Sequence, residues 1–121
     1  MALVYTFTKK EESSANLLIE AGLVRYSART LVFLANIPEA TSRDIERGTD
    51  LRQGEVSKAI SYFTGRGWVE SRKLAQEKRG RSMCIYRLVV PLSEILSAIE
   101  QDMRDEMEQK IALIRKVRAM G

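Results

Sequence analysis

The chain has 121 residues, 45% of them hydrophobic, which suits one domain with an appendage and is too apolar for a disordered chain. Histidine is absent and Cys84 is the single cysteine, which excludes His-dependent nucleophilic catalysis, thiolate or imidazole zinc sites and an intrachain disulfide. No apolar run is long enough to cross a bilayer, and the N-terminus lacks a signal-peptide pattern. We therefore expect a cytoplasmic protein that is not an enzyme, needs no cofactor and has no membrane partner.

The net charge of +4 is unevenly distributed along the chain. Residues 22–89 hold thirteen Lys and Arg against seven Asp and Glu, whereas residues 1–21 and 90–121 are each weakly acidic. A basic middle with a nearly neutral tail suggests a polyanionic partner for the middle and a separate task for the tail.

The first elements are an arm and two helices. Residues 1–12 are expected to form an N-terminal arm or short strand, and Ser13 or Ser14 is expected to cap a helix over residues 15–21 that ends at Gly22. The following segment, LVRYSARTLVFLANIP, predicts a strongly apolar helix that is the most buried of the domain and is stopped by Pro38.

Residues 41–67 have the pattern of a helix-turn-helix. Thr41 is followed three residues later by an acid, which is a variant capping box and predicts a helix to about Arg47. Gly48, Thr49 and Asp50 form a predicted tight break, and a second amphipathic helix follows within residues 51–67. Its apolar stripe consists of Val56, Ala59, Ile60 and Phe63. The opposite face is small and polar and consists of Gly54, Ser57, Lys58, Ser61 and Gly65.

A basic hairpin follows the second helix. Residues 68–74 and 83–90 alternate apolar and polar side chains as two strands, and the loop between them carries Lys78, Arg79, Gly80 and Arg81. A glycine with three cations suits a loop that follows a groove and neutralises phosphates. A helix-turn-helix followed directly by such a hairpin indicates nucleic-acid binding, although either feature alone is also compatible with solvated surface.

The tail, residues 91–121, predicts one long helix of roughly 45 Å. Its apolar residues recur at heptad-like spacings, with an interruption near Met103 and Met107, and form a stripe too long for so small a domain to bury. We expect a second copy of the chain to cover it; the alternative is a helix broken near Asp102 that folds back on its own domain. The predicted dimerisation residues are Leu92, Leu96, Ile99, Met103, Met107, Ile111, Ile114 and Val117.

With these segments in order, the chain resembles archaeal winged-helix transcriptional regulators of the MarR-like and TrmB-like groups. The resemblance covers about residues 21–99 and rests on the helix-turn-helix segment, the Gly-Trp-Val turn after it, and a wing motif with Gly80, Arg81, Tyr86 and Leu88. It implies a mainly α fold with a small β-hairpin (α+β): a winged helix-turn-helix domain over residues 13–90 with a dimerisation helix over residues 91–121. Many TrmB-like proteins carry a large sugar-binding domain that this chain lacks, so the small-molecule effector, if any, is unknown.

The resemblance implies a homodimer that binds specific double-stranded DNA, with the recognition helix in the major groove and the wing on the adjacent backbone or minor groove. The predicted DNA-binding residues are Arg52, Gln53, Gly54, Ser57, Lys58 and Ser61 of the recognition helix, Thr41, Ser42 and Arg43 of the preceding helix, and Arg72, Lys78, Arg79, Gly80 and Arg81 of the wing. The alternative is a winged-helix module that binds other proteins in a transcription or replication assembly. RNA binding is a weaker third interpretation, because the few aromatic residues fall on predicted core faces.

Overall fold

The structure, a computed structural model, describes residues 6–74 and 83–121. The chain divides into two compact units, residues 1–90 and residues 91–121. Within the described residues, the first unit holds four helices and a three-stranded antiparallel sheet of order β1-β3-β2, and the second is one helix, which confirms the predicted fold class. In chain order the elements are α1 (Lys9–Glu20), α2 (Arg25–Ala35), β1 (Ala40–Thr41), α3 (Ser42–Thr49), α4 (Gln53–Gly65), β2 (Val69–Leu74), β3 (Met83–Leu88) and α5 (Leu92–Met120).

Helix α1 begins earlier than the sequence pattern predicted. The Thr8 hydroxyl accepts from the Glu11 backbone N–H at 3.1 Å, and the Glu11 carboxylate accepts from the Thr8 N–H at 2.9 Å, which forms a complete capping box. The prediction that Ser13 or Ser14 caps this helix was therefore wrong. The charged run after Thr8, interpreted as a solvated segment of the arm, forms the first helical turn, where acidic side chains also favour the helix dipole.

Two glycines end their helices as predicted. Gly22 follows α1 with φ of 115°, and Gly67 follows α4 with φ of 76°, a region that side chains with a Cβ rarely adopt. After Gly67, the Trp68 N–H donates to the Phe63 carbonyl at 2.9 Å, as in a Schellman motif. The chain therefore reverses direction at the end of α4 and enters β2.

Helix α2 is the centre of the first unit. Every residue from Ser27 to Leu34 is buried, which confirms the prediction that this segment is the most buried helix. One of these buried residues is charged: the Arg29 Nε donates to the Thr49 carbonyl at 2.8 Å, and its guanidinium pairs with Glu12 and lies 4.5 Å from the Phe7 ring centroid. Arg29 therefore ties the end of α3 to α1 and satisfies a carbonyl that the helix leaves unpaired.

Helix α3 extends two residues further than predicted, so that of the predicted break at residues 48–50 only Asp50 lies outside the helix. Gly48, which was expected to begin the break, is a buried residue within α3. The Phe33 ring occupies the space that a Cβ at this position would need, so the glycine permits close packing and not a turn. The reversal takes place at Asp50, whose φ of 58° is left-handed.

The sheet contains a strand that the sequence pattern did not predict. Ala40 and Thr41 form β1 and pair with Tyr86 and Ile85 of β3, so the expected two-stranded hairpin is the outer part of a three-stranded sheet. A two-residue strand is too short to show alternation in the sequence. The predicted hairpin pairing of β2 with β3 is confirmed, with Val69 opposite Leu88 at one end and Leu74 opposite Met83 at the other.

Helix α5 is continuous over 29 residues, so the break considered near Asp102 is absent. Among the residues predicted for dimerisation, Ile99 is buried in the single chain, and Leu92, Leu96 and Met103 are half-buried. The four distal residues are exposed: Met107 (58%), Ile111 (37%), Ile114 (60%) and Val117 (69%). Only the distal part of the stripe is therefore fully accessible to another protein surface.

Candidate nucleic-acid interface

Each helix of the helix-turn-helix is capped at its N-terminus. The Thr41 hydroxyl accepts from the Asp44 N–H at 3.1 Å, and the Asp44 carboxylate accepts from the Thr41 N–H at 3.0 Å, which confirms the predicted capping box. At the start of α4, the Glu55 carboxylate accepts from the Arg52 N–H at 3.0 Å. The ends of both helices are thus set by local hydrogen bonds that the sequence order alone provides.

Helix α4 divides into two faces as predicted. Val56, Ala59, Ile60 and Phe63 are buried in the core. The opposite face is exposed and carries Gly54, Ser57, Lys58, Ser61 and Gly65, and Gln53 is exposed at the first position of the helix. No atom lies within 4 Å of the position that a Cβ would take on Gly54, so this end of the face is open to an approaching surface.

Arg25 is a cation that sequence reasoning did not place near α4. It is the first residue of α2, and its Nη1 lies 3.9 Å from Oε2 of Glu55 in the first turn of α4. Its side chain is half exposed, so its guanidinium is accessible beside the start of the outer face, with its charge balanced in part by Glu55. The two residues are thirty positions apart in sequence, and no local pattern indicates that packing of α2 against α4 brings them together.

The predicted residues at the start of α3 differ in what they offer. Arg43 is exposed, whereas Thr41 and Ser42 are half-buried. The Thr41 oxygen already accepts from Asp44, which leaves its hydroxyl proton as the group that can contact a phosphate.

The described part of the wing contains one of the predicted DNA-binding residues. Nη2 of Arg72 lies 3.1 Å and 3.2 Å from the two carboxylate oxygens of Glu39, so the guanidinium is paired within the chain. Arg87 pairs in the same way with Glu70, at 3.3 Å. Lys78, Arg79, Gly80 and Arg81 lie outside the described residues.

One arginine and two aromatic side chains form a cluster at the C-terminal end of α4. The Arg66 guanidinium lies 4.5 Å from the Trp68 ring centroid, and its Nη1 donates to the Tyr62 hydroxyl at 3.2 Å. The Trp68 ring packs edge-on against Tyr62, with centroids 5.7 Å apart. These contacts attach the last turn of α4 to the start of β2, and therefore relate the helix to the hairpin.

Residues 6–74 and 83–121 contain neither a metal-ligand cluster nor a membrane-spanning helix. No group of three or more Cys, Asp or Glu side chains in these ranges is arranged to hold a metal ion. The helices of the described chain are also too short or too polar to cross a membrane.

A helix-turn-helix whose second helix exposes a polar face, followed by a hairpin that extends a three-stranded sheet, defines the winged-helix class. Residues 25–80 match the sequence model of the MarR family. No curated protein matches the chain at a significant level of sequence similarity.

Several solved structures share the fold at low sequence identity. TrmBL2, an archaeal chromatin protein with a novel mode of DNA binding, aligns with a TM-score of 0.64 and 17% identity over 89% of this chain, which spans only 38% of that protein. A possible transcriptional regulator from Methanosarcina mazei Go1 aligns with a TM-score of 0.57 and 13% identity, over 83% of this chain and 81% of that one. The adhesin competence repressor AdcR of Streptococcus pyogenes aligns with a TM-score of 0.50 and 19% identity, over 90% and 84%. At these identities the likeness establishes the winged-helix fold.

Proposed function

We propose that the protein is a sequence-specific regulator of transcription that binds double-stranded DNA as a homodimer. The observation that carries the proposal is the exposed face of α4. This face consists of glycines and serines around one long side chain, that of Lys58. A helix with such a face fits the major groove, where Ser, Gln and Lys side chains can reach base edges and phosphates.

The predicted residues divide into two roles. Ser57, Lys58 and Ser61 project from the exposed face and Gln53 is exposed at the start of α4, and we assign these residues to base edges or phosphates of the major groove. Gly54 allows close approach of the helix backbone. Residues at the edges of the face contact phosphates and fix its register: Arg52, Thr41, Ser42 and Arg43, together with Arg25.

Wing contacts complete the interface on the adjacent backbone or minor groove. Residues 78–81 supply three cations and one glycine in sequence, and the antiparallel strands β2 and β3 lead into and out of this segment. Neutralising several phosphates makes the affinity strongly dependent on salt. Lys78, Arg79 and Arg81 are therefore the residues assigned to this contact.

The exposed stripe of α5 supports a second copy of the chain as partner. Residues 100–108 contain five acids and one arginine, whereas residues 109–121 contain four cations and no acid. An antiparallel pair of α5 helices places the basic end of each copy beside the acidic stretch of the other, whereas a parallel pair places like charges together. We therefore propose an antiparallel homodimer formed by the distal half of α5, with Met107, Ile111, Ile114 and Val117 at its centre.

A homodimer predicts the symmetry and spacing of the DNA site. Two recognition helices related by a two-fold axis meet successive major grooves, about 34 Å apart, on a pseudo-palindromic site. The operator sequence and the direction of regulation depend on base contacts and on partners at the promoter.

A protein-interaction module is the second candidate, and one observation favours it. The small residues on the outer face of α4 permit close packing against another protein as readily as against DNA. In that case the partner would be a component of a transcription or replication assembly.

Selection of bound sequences from a pool of random duplexes decides between the two candidates. We expect enrichment of a pseudo-palindromic motif, and an affinity for it that falls steeply as salt rises from 50 to 200 mM, as counterion release requires (roughly 10³-fold for six phosphate contacts). No retention of any duplex at low salt would favour the protein-interaction module.

A further inference from the structure

Four charged side chains form a cluster on one face of the sheet. Glu39 lies immediately before β1, Glu70 and Arg72 belong to β2, and Arg87 belongs to β3. All four line one shallow cleft, together with Ser71 and Ile85. The cluster holds two acids and two arginines, so its net charge is zero, although it lies in the basic part of the chain.

The Arg72–Glu39 pair crosses the whole sheet. Ile85 of β3 is paired with Arg72 on one side and with Thr41 of β1 on the other. Arg72 therefore reaches over the middle strand to bind Glu39, a residue 33 positions away in sequence. The pair connects β2, the outer strand, to Glu39, the residue just before β1. Because α3 begins directly after β1, this contact restrains the twist of the β2–β3 hairpin relative to α3.

The geometry of the pair argues against a phosphate as the partner of Arg72. Its Nη2 already lies within 3.2 Å of both carboxylate oxygens of Glu39. Contact of a phosphate with this nitrogen would break the pair, and a phosphate that approached the remaining N–H groups of the guanidinium would meet the carboxylates of Glu39 and Glu70 in the same cleft. The side chains of Arg72 and Glu39 remain 58% and 39% exposed, so their ion pair contributes little to the free energy of unfolding. Its effect is therefore on the local geometry of the sheet.

We propose that Arg72 is a positioning residue, which orients the hairpin for DNA by pairing with Glu39 and makes no phosphate contact itself. This inference rests on the proposed function, because the hairpin is assigned to DNA there. The resemblance implied that Arg72 binds DNA directly, whereas the inference is that Arg72 affects DNA binding through the orientation of β2 and β3.

The test compares Glu39→Gln, Arg72→Gln and the charge swap Glu39→Arg/Arg72→Glu in the full-length protein. We expect each single variant to weaken binding to the selected duplex by about two- to fivefold, the range that a surface pair supports, and the swap to recover most of the loss. The slope of affinity against salt should stay at the wild-type value in all three, because no phosphate contact is removed. Glu20→Gln, an equal change of charge on the exposed surface of α1, is the control and should bind as wild type.

Three results would overturn the inference: tighter binding by Glu39→Gln, a salt slope lowered by about one in Arg72→Gln, or a swap variant as weak as Arg72→Gln. Failure of the wild-type protein to bind any duplex would count against the proposed function instead. Amide hydrogen exchange then tests the pair by itself. Exchange in β2 should be faster in both single variants and return to the wild-type rate in the swap, and equal rates in all four proteins would exclude a positioning role.

Discussion

Two exposed helical faces of this protein differ in chemistry. The outer face of α4 carries Gly54, Ser57, Lys58 and Ser61, which are small or polar residues. The distal face of α5 carries large apolar side chains that are also exposed to solvent. The first face costs little to leave in water, whereas the second exposes apolar surface that association would bury.

Exposure alone therefore does not identify the partner of a surface, whereas its chemistry does. The apolar stripe of α5 favours a protein partner, and the opposite charges along this helix favour another copy of itself. The polar face of α4 gains nothing from burial against an apolar surface, but its size and hydrogen-bonding groups match a groove in DNA. Substitutions confined to one face should therefore affect one association directly and the other only through avidity.

The largest effect is expected from Ile111→Glu/Ile114→Glu. Four carboxylates at a symmetric apolar interface should convert the dimer into a monomer, as measured by sedimentation or multi-angle light scattering. Loss of the second DNA-binding domain should lower the affinity for a two-half-site duplex by about 10²- to 10⁴-fold. Gln109→Glu/Ala112→Glu places the same charges on the other side of α5, so it should remain dimeric; a monomeric control, or a dimeric double Ile variant, would contradict the interface.

The orientation of the pair is tested in the same region by cysteine cross-linking in a Cys84→Ser background. In an antiparallel dimer, Ile111→Cys lies near its own copy at the middle of the stripe and should form an intersubunit disulfide under mild oxidation. Met120→Cys should not, because the two helix ends are far apart. A disulfide formed efficiently by Met120→Cys would indicate a parallel pair.

A smaller effect is expected from Ser57→Glu on α4. A carboxylate at the centre of the exposed face faces the phosphates, and we expect about a 10- to 100-fold loss of affinity for the selected duplex, measured by fluorescence anisotropy. The circular dichroism spectrum and the dimer mass should not change, because Ser57 is exposed and lies outside α5. Ser13→Glu, at an exposed position of α1, is the matched control. If Ser57→Glu bound the duplex with wild-type affinity, the assignment of α4 to the DNA interface would be wrong.

The smallest effect is expected from Lys58→Ala. Loss of one phosphate contact should weaken binding by about three- to tenfold for all duplexes alike and lower the salt slope by about one. If Lys58 contacts a base instead, the affinity for the selected site should fall while that for unrelated duplexes stays nearly constant. The two outcomes are separated by measuring both duplexes over a range of salt concentrations.

The elements that the sequence predicted correctly depend on local chemistry. The capping box of Thr41, the positive-φ glycines after α1 and α4, and the apolar stripe of α4 are set by residues within a few positions of one another. The errors arose where a local pattern was ambiguous. Gly48 has the residue type of a turn but permits packing against Phe33, and Thr8 caps a helix inside a charged run that was interpreted as an arm.

The order of the helices and of the β2–β3 hairpin, the two faces of α4 and the long apolar stripe of α5 follow from the sequence, because helical periodicity and capping are properties of neighbouring residues. Tertiary structure alone decided which groups meet across the fold. It brought Arg25 to the start of α4, placed Arg29 beneath the end of α3, added β1 to the sheet and paired Arg72 with Glu39. Each of these contacts joins residues far apart in sequence, and packing of the core determines where they meet.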